Sequence, residues 1–477
     1  MSNVQSQTLP ATLELRRWLA LPVLLAGTFM VILDFFIVNV AIPSLQRELN
    51  ADAATIEWIV ACYGLTYAAG LIIGGRLGDL YGRRRIFALG LAVFTFASAA
   101  CGWAPDAALL IVARAAQGAG AALLAPQVLA IIGVTYTGAD RGRAFAIYGV
   151  VLGLASACGQ VVGGLLIRAD LLGLGWRGCF LVNIPIGVAA LLLAPSLVPE
   201  SRAPIGRRLD GSGVVLITLA ITALLLPLIE GRRQGWPTWT WLSLAAAVAL
   251  FGGFVYQQRR HQQRRHAAPL IDPAMFRVPR FRIGLLAVLA LFGGVASFFL
   301  VLALYLQQGR GLDALAAGLM FTTLAGAFSA ASLVAGRIAR RLGRPPLVIG
   351  ALGMAAGLLG LRVTVGWIGT GGSPLLLLPA LLLDGAGMGL VMAPLVANAL
   401  AGLPARDAGA AAGVLAAVQQ FANALGVALI GLVFFGVLAQ APPAAAYATA
   451  FGASLDWLVG LALVLAVLAR IMVRRRA

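Results

Sequence analysis

The chain has 477 residues, 61% of them hydrophobic and only 11% charged, and its mean hydropathy is +0.95. Soluble domains are about 45–50% apolar and about a quarter charged, so this composition excludes a water-soluble globule and points to an all-α integral membrane protein. All 35 basic residues are arginine, which excludes a Walker-A phosphate lysine, a Schiff base and a lysine general base, and argues against an ATP-driven pump within the chain. The net charge of +18 fits either a nucleic-acid surface or arginines beside membrane spans.

A spanning helix needs about 20 mostly apolar residues, and fourteen stretches qualify. The first six run Trp18–Pro43, Ile56–Ile73, Ile86–Trp103, Ala107–Ile132, Ala144–Ile167 and Gly178–Leu197. Gly213–Ile229 and Thr238–Tyr256 follow, and the last six are Ile283–Leu306, Leu315–Val334, Leu347–Ile368, Leu375–Ala399, Ala410–Leu438 and Phe451–Leu468. The first span has no small-residue cleavage site after it and reads as a retained anchor. With the first span entering from the cytoplasm, 27 arginines fall on inner segments and 7 on outer ones, while Arg114 lies within a span. That asymmetry is the positive-inside pattern, so both termini are expected to be cytoplasmic and the charge is no nucleic-acid surface. Eight of the nine tryptophans fall near outer ends, a one-sided aromatic belt.

Cys62, Cys101, Cys158 and Cys179 lie in or beside spans without a CxxC pair and read as small buried hydrophobes. His261 and His266, the two histidines, share one arginine-rich loop, which leaves no histidine for a proton relay within the membrane. Glu230 and Asp456 sit near outer ends and read as solvated. No HExxH, GxSxG or paired CxxC pattern is present, so neither an enzyme nor a metal or other cofactor is expected.

The sequence repeats internally. Gly75-Arg76-Leu77-Gly78-Asp79-Leu80-Tyr81-Gly82-Arg83 has a counterpart in Gly336-Arg337-Ile338-Ala339-Arg340-Arg341-Leu342-Gly343-Arg344 at an offset of 261. Arg143 maps to Arg406 and Gly163 to Gly426 at 263, and Gln117-Gly118-Ala119-Gly120 maps to Asp384-Gly385-Ala386-Gly387 at 267. Such duplication marks secondary transporters. The chain divides into a six-helix bundle (1–200), two inserted helices with a cytoplasmic linker (201–281) and a second six-helix bundle (282–477).

These segments resemble the major facilitator superfamily, and within it the fourteen-span drug:proton antiporters. Gly74-Gly75-Arg76-Leu77-Gly78-Asp79-Leu80-Tyr81-Gly82-Arg83-Arg84-Arg85 resembles the signature loop between spans 2 and 3. Asp34 to Pro43 resembles the first-span motif, with Phe36 where the family has threonine. Arg114-Ala115-Ala116-Gln117-Gly118-Ala119-Gly120 resembles the span-4 motif linked to proton coupling, and Trp176-Arg177 with Asn183-Ile184-Pro185 matches the fourteen-span pattern. Gly149, Gly153, Gly159, Gly163 and Gly164 resemble the antiporter motif of span 5, in which Gln160 replaces the family's proline. The resemblance implies glycines that close the cavity against proton leak. It also implies a conformational latch at the inner end built from Gly75, Asp79, Gly82 and Arg83.

An ionisable group at bilayer depth is costly and a functional candidate by default. Asp34 lies nine residues before Pro43, about 13 Å deep, and Arg114 seven residues after Ala107, about 10 Å deep at 1.5 Å per residue. The two are therefore expected at similar depth as a carboxylate–guanidinium pair. Asp34 is the candidate proton carrier, Arg114 its modulator and Asp384 a second acid for a proton or a cationic substrate. Arg114, Gln117, Gly118 and Ala121 share one helix face, and Asn39, Gln117 and Tyr63 are expected to line the substrate cavity. A proton falling through about 150 mV supports roughly a 300-fold gradient of a neutral substrate. The expected function is a monomeric, proton-coupled exporter of amphipathic, cationic drugs in the bacterial cytoplasmic membrane, working by alternating access. Its partners would be a small molecule, protons and lipid. Export of an endogenous metabolite, lipid or antibiotic is the close alternative, and import by symport a further one.

Overall fold

The apolar stretches form long helices in the computed structural model, which describes residues 11–202, 211–264, 273–343, 345–401, 403, 408–442 and 445–474. The first six spans are α1 (Ala11–Leu49), α2 (Ala53–Tyr81), α3 (Arg83–Gly102), α4 (Ala107–Thr135), α5 (Gly138–Ala169) and α6 (Gly175–Leu197). The inserted pair is α7 (Gly211–Arg233) and α8 (Thr238–Arg264). The last six are α9 (Pro279–Leu304), α10 (Ala314–Leu342), α11 (Leu347–Ile368), α12 (Leu378–Leu400), α13 (Ala408–Leu438) and α14 (Ala446–Arg474). Thirteen are long and apolar enough to cross a bilayer without interruption, and α2 qualifies as a span bent by 46°. No strand occurs among the described residues, as expected where every backbone polar group must be satisfied within its own segment. The protein is an all-α, multi-pass membrane protein.

The helices outrun the apolar stretches because polar turns continue into the headgroup region. The stretch Gly75–Arg83, expected as a loop, is corrected: α2 continues to Tyr81, and Gly82 alone, at φ +108, breaks it before α3. Gly336–Leu342 of its counterpart are likewise the last two turns of α10, which Gly343 ends at φ +63. His261 falls in the final turn of α8 rather than in a loop, with its side chain outside the described residues, as is His266. Glu230 is half-buried and accepts a hydrogen bond from Trp58 Nε1 at 2.8 Å.

The two six-helix sets pack by the same scheme. In the first, α1 packs on α5, α2 and α3 on α4, and α3 on α6; in the second, α9 packs on α13, α10 and α11 on α12, and α11 on α14. Between the sets, α2 meets α13 and α5 meets α10, with slighter contacts of α1 to α9 and α10. We call the face where α1 begins the terminal face and the other the distal face.

The sets interlock toward the distal face. A Cβ on Gly164 would come within 2.6 Å of the Ala314 carbonyl, and one on Gly318 within 2.6 Å of the Gln160 carbonyl, so α5 and α10 cross backbone to backbone. Phe36 of α1 packs on Phe299 of α9 with centroids 4.9 Å apart, and Phe299 stacks on Phe321 of α10 at 5.2 Å. Gln308 bonds Gln46 across the same seam, and Arg168 lies 3.8 Å from Asp313. Nearer the terminal face, Gly149 on α5 and Gly326 on α10 have no neighbour within 4 Å of a built Cβ.

The inserted helix α7 lies along the α2–α13 seam. Its Ile221, Leu225 and Ile229 are buried against Ala54, Ala61 and Leu65 of α2 and against Ala424 and Ala428 of α13.

Candidate functional site

Four helices of the first set converge on Asp34 at mid-span. Arg114 Nη1 of α4 pairs with Asp34 Oδ2 and donates to Gln117 Oε1 at 2.8 Å. Gln117 Nε2, one turn along α4, donates to Asp34 Oδ1 at 2.8 Å, and Asn183 Nδ2 of α6 donates to the same oxygen at 3.1 Å. Ser98 of α3 accepts from both amides at 3.1 and 3.0 Å and donates to the Phe180 carbonyl at 2.9 Å. Arg114 Nε reaches the Ile59 carbonyl at 3.2 Å, and the guanidinium lies 4.4 Å from the centroid of Tyr63.

Asp34, Ser98, Arg114, Gln117 and Asn183 are all fully buried. Two charges in such a place are tolerated only when their geometry is good and their remaining donors and acceptors are satisfied. Here every hydrogen bond reaching Asp34 comes from a donor, and the cation rests on an aromatic face, a favourable placement for a desolvated guanidinium.

The residues expected in the substrate cavity lie elsewhere in detail. Gln117 and Tyr63 belong to the ion-pair network, with Tyr63 OH donating to the Val31 carbonyl at 3.0 Å. Asn39 is buried on α1 and donates to the Phe36 carbonyl at 3.2 Å. The α4 face carrying Arg114, Gln117, Gly118 and Ala121 is filled with protein: a Cβ on Gly118 would sit 2.3 Å from the Tyr63 carbonyl. Sequence reasoning missed Ser98 and gave Asn183 no role. Each is a lone polar residue in an apolar stretch, and nothing in its own helix points it at Asp34.

At the terminal end of α2, Arg83 Nη2 bonds Asp79 Oδ1 at 2.9 Å. Glu200, after α6, accepts from the Arg84 backbone N–H at 3.1 Å and would meet any side chain placed on Gly82. Gly75 has only Pro126 near a built Cβ, at 3.7 Å. On α5, Gly159 and Gly163 abut α1 at Phe36 and Ile37, Gly164 abuts α10, Gly149 abuts nothing, and the surroundings of Gly153 lie outside the described residues. Gln160 Nε2 donates to the Phe36 carbonyl at 3.1 Å.

Asp384 is placed differently from Asp34. It is buried inside the second set, on the wall of a small cavity of about 20 Å³ between α9, α11, α12 and α14. Its Oδ1 has no hydrogen-bond partner among the described residues.

A family profile described as the Major Facilitator Superfamily matches residues 24–427. The chain is 39% identical over 424 residues to a probable actinorhodin transporter of Streptomyces coelicolor, covering 89% of this chain and 73% of that one. It is 34% identical over 421 residues to a tetracenomycin C resistance and export protein of Streptomyces glaucescens, covering 87% and 76%. Among solved structures, a POT family transporter in complex with a thioalcohol-conjugated peptide superposes with a TM-score of 0.67 over 97% of both chains at 15% identity, a likeness of fold. Paired six-helix sets, an inserted helix pair and a family match over most of the sequence agree: the chain belongs to the Major Facilitator Superfamily.

Proposed function

We propose that the protein exports amphipathic, cationic antibiotics or drugs in exchange for protons, by alternating access. The observation that carries this reading is the fully buried Asp34–Arg114–Gln117 network on α1 and α4, because an intramembrane ion pair is expensive and marks ion or substrate pathways. Asp34 takes the proton when the network opens, and Arg114 moves with it. Asp384 is the second acid of the proton-coupling set. Substrate enters between residues 1–200 and 282–477, which rock as two bodies, with 201–281 as the insert; Asn39, Gln117 and Tyr63 become accessible to it as that network opens. The Asp79–Arg83 pair, with Gly75 and Gly82, latches the terminal face, and the glycines of α5 seal the distal one. The terminal face is cytoplasmic in a bacterial plasma membrane, and the distal face is external. One chain with a small-molecule substrate, protons and surrounding lipid forms the working unit.

The names of the relatives, a transporter and a resistance and export protein for named compounds, favour a second reading, export of an endogenous metabolite, lipid or antibiotic by the same machinery. Ethidium efflux from energised cells and from proteoliposomes carrying a pH gradient tests the first. Efflux is expected with the parent chain and is expected to vanish in Asp34→Asn. Unchanged proton-driven efflux in that variant removes Asp34 from the role. Absence of efflux for every cationic dye shifts the substrate to an endogenous compound, and pH-driven accumulation in place of efflux makes the protein an importer.

A further inference from the structure

The duplication extends to the ion-pair site, where the two halves have solved the same problem differently. Asp34-Phe35-Phe36 aligns with Ser297-Phe298-Phe299 at an offset of 263, and Gln117 aligns with Asp384 at 267, which sets Arg114 opposite Leu381. The first half therefore carries an acid on α1 with an amide and a cation on α4. The second carries a hydroxyl on α9 and an acid on α12, with no cation. Ser297 does not stand in for a partner, because its Oγ is engaged with the Gly293 and Gly426 carbonyls at 2.7 and 2.8 Å.

In the second half a cavity lies between the helices that correspond to α1, α3, α4 and α6. Its wall includes Leu291 and Val295 of α9, Leu358 of α11, and Leu458 and Leu465 of α14, and among the described residues Asp384 is its one ionisable lining residue. Charges on the surrounding helices are committed or at their ends. Arg362 of α11 pairs with Asp456 of α14 at 3.1 Å. Arg280 and Arg282 lie in the first turn of α9, Tyr305 just past its distal end, Arg337, Arg340 and Arg341 at the terminal end of α10, and Arg470 and Arg474 at that of α14. The helical residues of α13 include none. An ionised carboxylate without a partner in such surroundings is strongly disfavoured, and the cavity holds room for a water molecule rather than an organic cation.

We propose that this cavity is a proton-binding site of the second half, in which Asp384 holds a proton as its counter-charge while Asp34 remains ionised against Arg114. The use made of that proton rests on the export reading above, but its binding does not. The cycle then moves one proton through the second half in addition to any released at Asp34.

Infrared spectra of the full-length protein in liposomes at pH 7 test the binding without any substrate. The parent chain is expected to give a neutral-acid C=O band that Asp384→Asn lacks and Asp34→Asn retains. No such band, or a band lost in Asp34→Asn instead, overturns the proposal. Dicyclohexylcarbodiimide, which attacks protonated carboxyls in apolar surroundings, is expected to modify Asp384 and spare Asp34 in the parent chain, as read by peptide mass mapping. Modification confined to Asp34 overturns the proposal, and so does blocking of the Asp384 adduct by ethidium, which makes the cavity an organic-cation site. In transport, Asp384→Asn is expected to lower the proton-to-ethidium ratio by one, with Asp384→Glu restoring it, and an unchanged ratio in Asp384→Asn overturns the added proton. If the parent exports no ethidium, the export reading fails while the infrared band still decides the site.

Discussion

Asp34 and Arg114 stabilise each other only as a set, so removing one charge is worse than removing both. Arg114→Leu leaves a buried carboxylate held by two amides, a loss on the order of 3–5 kcal/mol when one partner of a buried pair is deleted. Its thermal midpoint in detergent is expected to fall well below that of the parent chain, and Asp34→Asn added to it is expected to recover part of the loss. Equal stability of the single variant and the parent would show the pair to be dispensable. Gly118 is the second sensitive position. Gly118→Ala drives a methyl against the Tyr63 carbonyl, and overpacking of this kind costs about 1–3 kcal/mol, measurable in the same melts. At this scale the sequence was informative where charge made the signal. Asp34, Arg114 and Asp384 stand out because so few ionisable residues lie in spans. Gln117 is harder to read, because a polar helix face looks the same whether it meets water or a neighbouring polar network. Only the partner helices distinguish the two, and those are distant in sequence.

At the level of helices, hydropathy placed all fourteen spans, but not their ends or bends. The polar last turns of α2 and α10 have no hydrophobic signal, and the 46° bend in α2 leaves no mark in composition. The α5–α10 crossing is where helix geometry limits motion. Small residues let the backbones touch, and Gly164 places the Ala314 carbonyl where a larger side chain would stand. Gly164→Val is expected to prise the distal ends of α5 and α10 apart and to stop efflux. Spin labels at positions 168 and 313 should then report a longer distance than in the parent, and an unchanged distance would mean that another contact closes this face. The departures at Phe36 and Gln160 meet at one point. Gln160 supplies a donor where proline has none, and its bond to the Phe36 carbonyl ties α5 to α1 beside the Phe36–Phe299 contact.

For the whole molecule, the arginines set the expected orientation. With 27 of 35 on one set of loops and ends, a fluorescent protein fused after Ala477 should fold and fluoresce inside the cell. Alkaline phosphatase fused after Arg310 should be active outside it. The opposite result would invert every statement about which way the protein faces. The insert has a separate consequence. A bundle of two six-helix sets leaves two side seams open to the bilayer, one at α2–α13 and one at α5–α10. Here α7 shutters the first, with Trp58 pinned to Glu230. Among the described residues no helix covers the second, where Gly149 and Gly326 are exposed, so the protein has a front and a back in the plane of the membrane.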